Sequence, residues 1–188
     1  QSATANHGTV HGATPTADRH GVVGKALLFG GSGSNHYLEA PFSQALSSSS
    51  FSYSIWANPT STTTNHGSPI TFRGNGRGFM LYKMPQNIWS HWTGDGSWRK
   101  FDAQAITLNW TALAFTHNGT TGKCYQNGVL VASLNKGYLP NQSAALRIGT
   151  GSGTNGPTYF FKGVIDEVRI WNRVLSAEEI SSLYAMEK

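Results

Sequence analysis

Along this chain, polar and apolar residues alternate with a two-residue period over many short runs, and Gly, Asn, Pro and Ser clusters separate the runs. Phe51, Tyr53 and Ile55 alternate with Ser52, Ser54 and Trp56, which predicts a strand whose two faces meet different surroundings. The same pattern predicts strands over 25–29, 37–40, 70–73, 78–83, 87–93, 98–103, 110–117 and 146–149. A hairpin over 123–133 turns at Asn127-Gly128, a pair suited to the left-handed backbone of a tight turn. Polar stretches at 30–34, 43–50, 58–68, 137–143 and 150–157 predict loops, the last Gly-rich and expected to be mobile. Many short strands at this spacing predict an antiparallel sandwich.

Toward the C-terminus, Val164, Asp166, Val168 and Ile170 alternate with Ile165, Glu167, Arg169 and Trp171, so another strand is expected there. Asn172-Arg173 stops it. Ser176-Ala-Glu-Glu179 forms a capping box, in which Ser176 accepts a first-turn amide and Glu179 reaches back to the Ser176 backbone. A short helix over 176–184 is therefore expected. Its apolar residues Ile180, Leu183 and Tyr184 share one side, which predicts packing over the sheet or its edge.

A length of 188 residues fits a single domain, 1–188, with residues 1–24 as a polar leading segment. Only 12% of residues are charged, and Ser, Thr, Asn and Gly take their place, a cover suited to a secreted β-rich protein that meets hydrated polymers. The single cysteine, Cys124, makes no internal disulfide and reads as a small buried apolar side chain. His7, His11, His20 and His36 lack metal-site spacing and read as solvated loop residues. No run approaches the roughly 18 apolar residues of a membrane span, and no signal-peptide pattern precedes Gln1, so the expectation is a mature protein or a module of a larger one.

The run from Gly163 to Arg173, with Leu175 to Ile180 after it, resembles the end of the laminin G-like (concanavalin A-like) jelly-roll family. Ala26–Gly30, Asn35–Glu39, Phe51–Trp56, Asn109–Phe115, the hairpin Gly122–Val131 and Ala145–Gly149 resemble further family strands in the same order, and Asn6–Val10 resembles its opening segment. The resemblance implies an all-β fold: a two-sheet antiparallel β-sandwich of jelly-roll type, wrapped at its edge by residues 1–24, with one short C-terminal helix. It also implies a structural Ca²⁺ held by the Asp166 side chain, backbone oxygens near Gly30 or Gly31, and Asn35, hard oxygen ligands of the kind calcium accepts. The competing reading has Asp166 accepting backbone amides from that same early loop.

The family hosts lectins, hydrolases and lyases, so function has to come from the site. Hydrolysis of a glycoside needs two carboxyl groups flanking one bond, and the close acidic pairs here are Asp166-Glu167, neighbours on opposite faces of a strand, and Glu178-Glu179 in the capping box. A polysaccharide lyase needs a Tyr or His base and Arg to neutralise a uronate; Arg73, Arg77, Tyr82 and His91 supply those residue types, although the motifs of jelly-roll alginate lyases are absent.

The reading that accounts for more of the chain is a carbohydrate-binding module without catalysis, appended to a catalytic domain in a larger secreted protein. Three of the six tryptophans fall between Ile88 and Trp98. By resemblance, Ile88 and Trp92 are core positions, which turns Trp89 and His91 outward, and Trp98 follows a turn. These rings are candidates for stacking on a sugar face. Arg73, Arg77, Lys83, Arg99 and Lys100 stand against Asp95 alone in this region, so an acidic polysaccharide is the sharper expectation, with Tyr82, Arg73, Arg77, Arg99 and Lys100 joining the contact set. Nucleic acid is a poorer partner because the basic cluster is short. A third reading is an extracellular adhesion module that binds protein.

Overall fold

The structure, a computed structural model, describes residues 7–61, 65–153 and 156–188. Two antiparallel sheets face each other. In spatial order the first contains β1 (Thr9–His11), β4 (Tyr37–Ala40), β13 (Leu146–Ile148), β6 (Gly67–Gly74), β7 (Arg77–Lys83), β8 (Ile88–Asp95) and β9 (Trp98–Ala105). The second contains β12 (Val129–Asn135), β11 (Thr121–Gln126), β10 (Thr111–His117), β5 (Phe51–Pro59), β16 (Lys162–Trp171), β3 (Ala26–Gly30) and β2 (Thr14–Thr16). The N-terminal segment hands over from the edge of one sheet to the edge of the other, since β1 pairs with β4 and β2 with β3. A two-sheet jelly-roll sandwich with one C-terminal helix is what the alternation and the resemblance predicted.

Asn127 and Gly128 both take left-handed backbone, which closes the β11–β12 hairpin where the sequence placed it. The stretch 150–157 departs from expectation: β14 (Gly151–Gly153) pairs with β15 (Gly156–Thr158) as a small separate ladder. Asn6 at the head of the family-like opening segment, residues 62–64 of the expected loop 58–68, and residues 154–155 lie outside the described residues.

The core between the sheets is aromatic. Phe51, Tyr53 and Phe115 from the second sheet meet Phe72, Phe79, Trp89 and Phe101 from the first. Cys124 is buried among them, and its thiol is pushed up by burial, as expected for an unreactive apolar side chain. The main surprise is polar: His91 is 0% exposed and lies in this core, where its Nδ1 shares a 2.6 Å hydrogen bond with the Tyr53 hydroxyl and its ring stacks on Phe115.

In β16 the strict alternation read from the sequence breaks. Asp166 stands opposite Trp56 and Arg169 opposite Ser54, so Glu167 and Val168 together face one residue, and Glu167 takes a left-handed φ of 49°. This β-bulge swaps the faces. Ile165 points into the core before it, and Val168 and Ile170 pack against the core after it.

The helix α1 (Ala177–Glu187) carries the predicted capping box and lies over the outer face of the second sheet. Ile180 packs with Ala114, Tyr125 and Leu175, and Tyr184 stacks on Trp56 at 5.8 Å. Trp56 and Trp171 lie beneath this helix. A clamp joins both ends of the chain: Arg19 donates to Asp166 Oδ2 at 2.8 Å and to the Glu187 carbonyl, with its guanidinium 4.8 Å from the Trp56 ring centre. Glu187 accepts from Trp56 Nε1 at 2.7 Å and from Arg169.

Removing the cap should loosen this helix. Ser176→Ala is expected to cost about 1 kcal/mol and lower Tm by about 2–4 °C, measured by thermal unfolding. A second expectation concerns acid. Burial lowers the His91 pKa from 6.5 to about 3, and burial also lowers that of His117. Below pH 6.5 the unfolded chain takes up a proton that the folded chain refuses, so stability present above pH 6.5 is lost as pH falls toward 3. The loss through His91 should reach on the order of 2–3 kcal/mol by about pH 4.5, and His91→Gln should show a shallower decline of Tm with pH, the remainder coming from His117 and the carboxylates.

Candidate functional site

Residues directly opposite one another on antiparallel strands share a face, so the register of β6 to β9 decides which side chains leave the sandwich. Phe79 and Leu81 point inward, and they stand opposite Thr93 and His91; Lys83 stands opposite Trp89. Trp89 and His91 are therefore core residues at 0% exposure, which corrects their assignment as ligand contacts. The outward set on β8 is Ile88, Ser90 and Trp92, the reverse of the expectation drawn from the family. The reason is that Trp, His and Thr are accommodated in this core, with His91 paired to Tyr53 and the Thr93 hydroxyl donating to the Gly137 carbonyl at 3.1 Å.

The outer face of the first sheet thereby gains a row of unlike character. Thr71, Met80, Trp92 and Lys100 stand side by side on four successive strands. The neighbouring row reads Arg73, Gly78, Gly94 and Trp98. Arg73 and Trp98 are separated by three strand spacings, roughly 14 Å, and the two positions between them carry no side chain. Across that gap the Arg73 guanidinium reaches the Trp98 indole, 4.3 Å from its ring centre, and Arg73 Nη1 donates to Met80 Sδ at 3.5 Å. A cation over the π face fixes the orientation of the half-buried indole.

Met80, Tyr82 and Met84 make the floor of this face, with Ile88, Trp92 and Trp98 against them. Tyr82 meets Trp92 edge-on at 6.4 Å and Tyr159 at 5.6 Å. Burial raises the Tyr82 pKa, against the opposing pull of the neighbouring Arg73 guanidinium. Tyr159 is 45% exposed and holds a left-handed φ of 55°, a conformation a bulky residue adopts at a cost. His66 completes the cluster, 6.0 Å from Tyr82 and 5.4 Å from Tyr159.

Of the residues singled out from the sequence, the structure brings Arg73, Tyr82, Trp98 and Lys100 onto one face. Arg99 and Arg77 stand apart from them at the turn end. Arg99 Nε is bound by both Asp95 carboxylate oxygens at 2.8 and 3.0 Å, which holds that carboxyl below its ordinary range, and Arg77 lies opposite Asp95 beside the Asn75-Gly76 turn. Lys100 pairs with Asp102 at 2.9 Å. Trp92, Tyr159 and His66 were missed. Trp92 lay in a segment where both faces offered one Trp and comparable polarity, so nothing within β8 told them apart; Tyr159 and His66 lie in connections, where no period operates.

The four residues expected to hold calcium do not form a donor set. Lys162 stands opposite Gly30, and Asp166 lies four residues, roughly 13 Å, further along β16. There Asp166 Oδ2 is occupied by Arg19 and Oδ1 accepts the Glu167 amide at 2.8 Å. Burial raises the Asp166 pKa, outweighing those two partners. The competing expectation, amides donated from the loop near Gly30, is not met either, since the amide on Oδ1 comes from Glu167, the next residue of β16. Asn35 is exposed, and the Lys162 methylenes lie against Gly31. Among the described residues no three His, Cys, Asp or Glu side chains cluster as metal ligands.

The family model described as the concanavalin A-like lectin/glucanases superfamily, Laminin_G_3, matches residues 32–181. Comparison with curated proteins gave no match. Among solved structures, the binding domain of botulinum neurotoxin DC in complex with SialylT superposes with a TM-score of 0.73 at 15% identity, over 97% of this chain and 46% of that one. The botulinum neurotoxin serotype G binding domain gives 0.71 at 17%, over 98% and 48%. A structure described by the dependence of botulinum neurotoxin type C cell entry on two ganglioside molecules gives 0.72 at 14%, over 97% and 46%. The chain spans less than half the length of these structures, and at such identities the likeness establishes the fold alone. With the family model covering most of its length, the chain belongs to the concanavalin A-like lectin/glucanases superfamily.

Proposed function

We propose that this chain is a non-catalytic carbohydrate-binding module that recognises a polysaccharide through the outer face of its first sheet, as part of a larger secreted protein. The observation that carries this reading is the Trp98 indole held by Arg73 across two glycines, beside Trp92, Tyr82 and Tyr159. Rings fixed on a sheet face offer C–H stacking surfaces at little entropic cost, because their orientation is set before the ligand arrives. Arg73 and Lys100 on the same face favour a polymer that carries uronate or sulfate groups. Two of the structural neighbours are described with SialylT or with ganglioside molecules, which supports carbohydrate as the ligand class for a sandwich of this shape.

A lyase reading is less well supported. His91 is sealed in the core with its pKa depressed, on the opposite face from Arg73 and Tyr82, and the raised pKa of Tyr82 works against a role as base. The acids are likewise engaged: Asp166 with Arg19, Glu167 with Arg169, and Glu179 with Arg173 and the helix cap.

Affinity electrophoresis through gels containing neutral or acidic polysaccharides tests the reading. Trp98→Ala is expected to weaken retention roughly tenfold, as for the loss of one stacking ring, in a protein that still unfolds cooperatively at a modestly lower Tm. The same polymers incubated with the protein should yield no ultraviolet absorbance of an unsaturated product. Retention that is indifferent to both Trp98→Ala and Tyr159→Ala would overturn the proposed face, and product absorbance would select the lyase.

A further inference from the structure

At one end of the sandwich, where β3, β5 and β16 of the second sheet approach β6 and β7 of the first, a cleft of about 190 Å³ opens. Lys83 from the end of β7 and Lys162 from the start of β16 line it, with His66 at its rim and Gly30 and Phe160 as walls. All nine acidic residues of the chain are described, and none lines this cleft. The lysines belong to different sheets, so the folded sandwich is what brings these two positive groups to one opening. Lys83 shares the inward face of Trp89 and is only 4% exposed; its Nζ donates to the Asn65 carbonyl over a long 3.4 Å. Lys162 is exposed.

We infer that this cleft is the subsite for the anionic group, carboxylate or sulfate, of an acidic sugar residue whose neighbours lie along the aromatic face. The inference rests on the carbohydrate-binding reading and gives it a charge-recognition site away from Arg77 and Arg99, the cations at the opposite end of the strands.

Two observations support it besides the pair of lysines. The first is continuity. His66 belongs both to the rim of the cleft and to the ring cluster with Tyr82 and Tyr159, so a chain that passes Trp98 and Trp92 reaches the cleft without leaving an aromatic surface. From the Trp98 row to Tyr82 is four residues along β7, roughly 13 Å, a span for more than one sugar ring.

The second is electrostatic. Burial lowers the pKa of Lys83, and burial together with the Lys83 charge lowers that of His66. An anion in the cleft would lie close to Lys83 and His66 together, an attraction that a neutral sugar cannot offer. Lys162, exposed on the other sheet, adds a second positive group to the same opening.

The test compares the wild type with Lys83→Met, Lys162→Ala and Trp98→Ala on gels containing alginate, dextran sulfate or neutral dextran. The His66 pKa is read by NMR with and without a soluble guluronate oligomer or sulfated dextran oligomer at constant ionic strength. Both lysine variants are expected to lose roughly three- to tenfold of retention on an acidic polymer while keeping that on dextran, and the acidic oligomer should raise the His66 pKa in the wild type but less in either variant. Whichever polymer shows the loss identifies the group as carboxylate or sulfate. Lys162→Ala, an exposed position, stands in if Lys83→Met fails to fold. Wild-type retention on both acidic polymers by both folded variants, or a His66 pKa unmoved by either oligomer, overturns the cleft; the wider reading survives that result if Trp98→Ala still weakens retention. No retention of the wild type on any of the three gels overturns both.

Discussion

The hydrogen bond between Tyr53 and His91, closed inside the sandwich, sets the orientation of the strand that matters most. A histidine in an aromatic core is tolerable only if it stays neutral and paired, and Tyr53 on the facing sheet supplies the partner. Once His91 points inward, Trp89 and Thr93 follow it, and Ser90 and Trp92 are turned to the outside. The outer aromatic face is thus a by-product of how the inner face is filled. With Phe79 and Leu81 inward on the neighbouring strand, the Tyr53 contact is what makes an inward His91 tolerable, and Trp92 is displayed as a result.

How far the sequence discloses this molecule differs between its layers. The strands, the Asn127-Gly128 turn and the capping box of α1 are written in local signals: period, turn chemistry and end groups that act over three or four residues. The bulge at Glu167 was not, because a single added residue leaves the run Val164 to Trp171 looking perfectly alternating while the partner strand, far away in sequence, defines the slip. The face of β8 was misjudged for the same reason. Trp89-Ser-His91-Trp92 reads equally well in either direction, and the deciding information sits in Phe79 and Leu81 on the neighbouring strand.

The candidate site follows the same division. Arg73, Tyr82, Trp98 and Lys100 were legible as a concentration of aromatic and basic residues within one stretch, and they do share a face. Charge density alone did not separate them from Arg77 and Arg99, whose positions beside the turn depend on Asp95. His66, Tyr159 and Lys162 come from three separate connections and strand ends, and their proximity to Tyr82 and Lys83 is a product of the closed sandwich.

The helix that ends the chain lies on the second sheet, fastened there by Glu187, Trp56 and Arg19, while the aromatic row occupies the outside of the first. A polypeptide continuing past Lys188 would therefore leave from the rear of the sandwich. The helix thus covers the back of the second sheet and leaves the aromatic row on the other side of the sandwich uncovered by it.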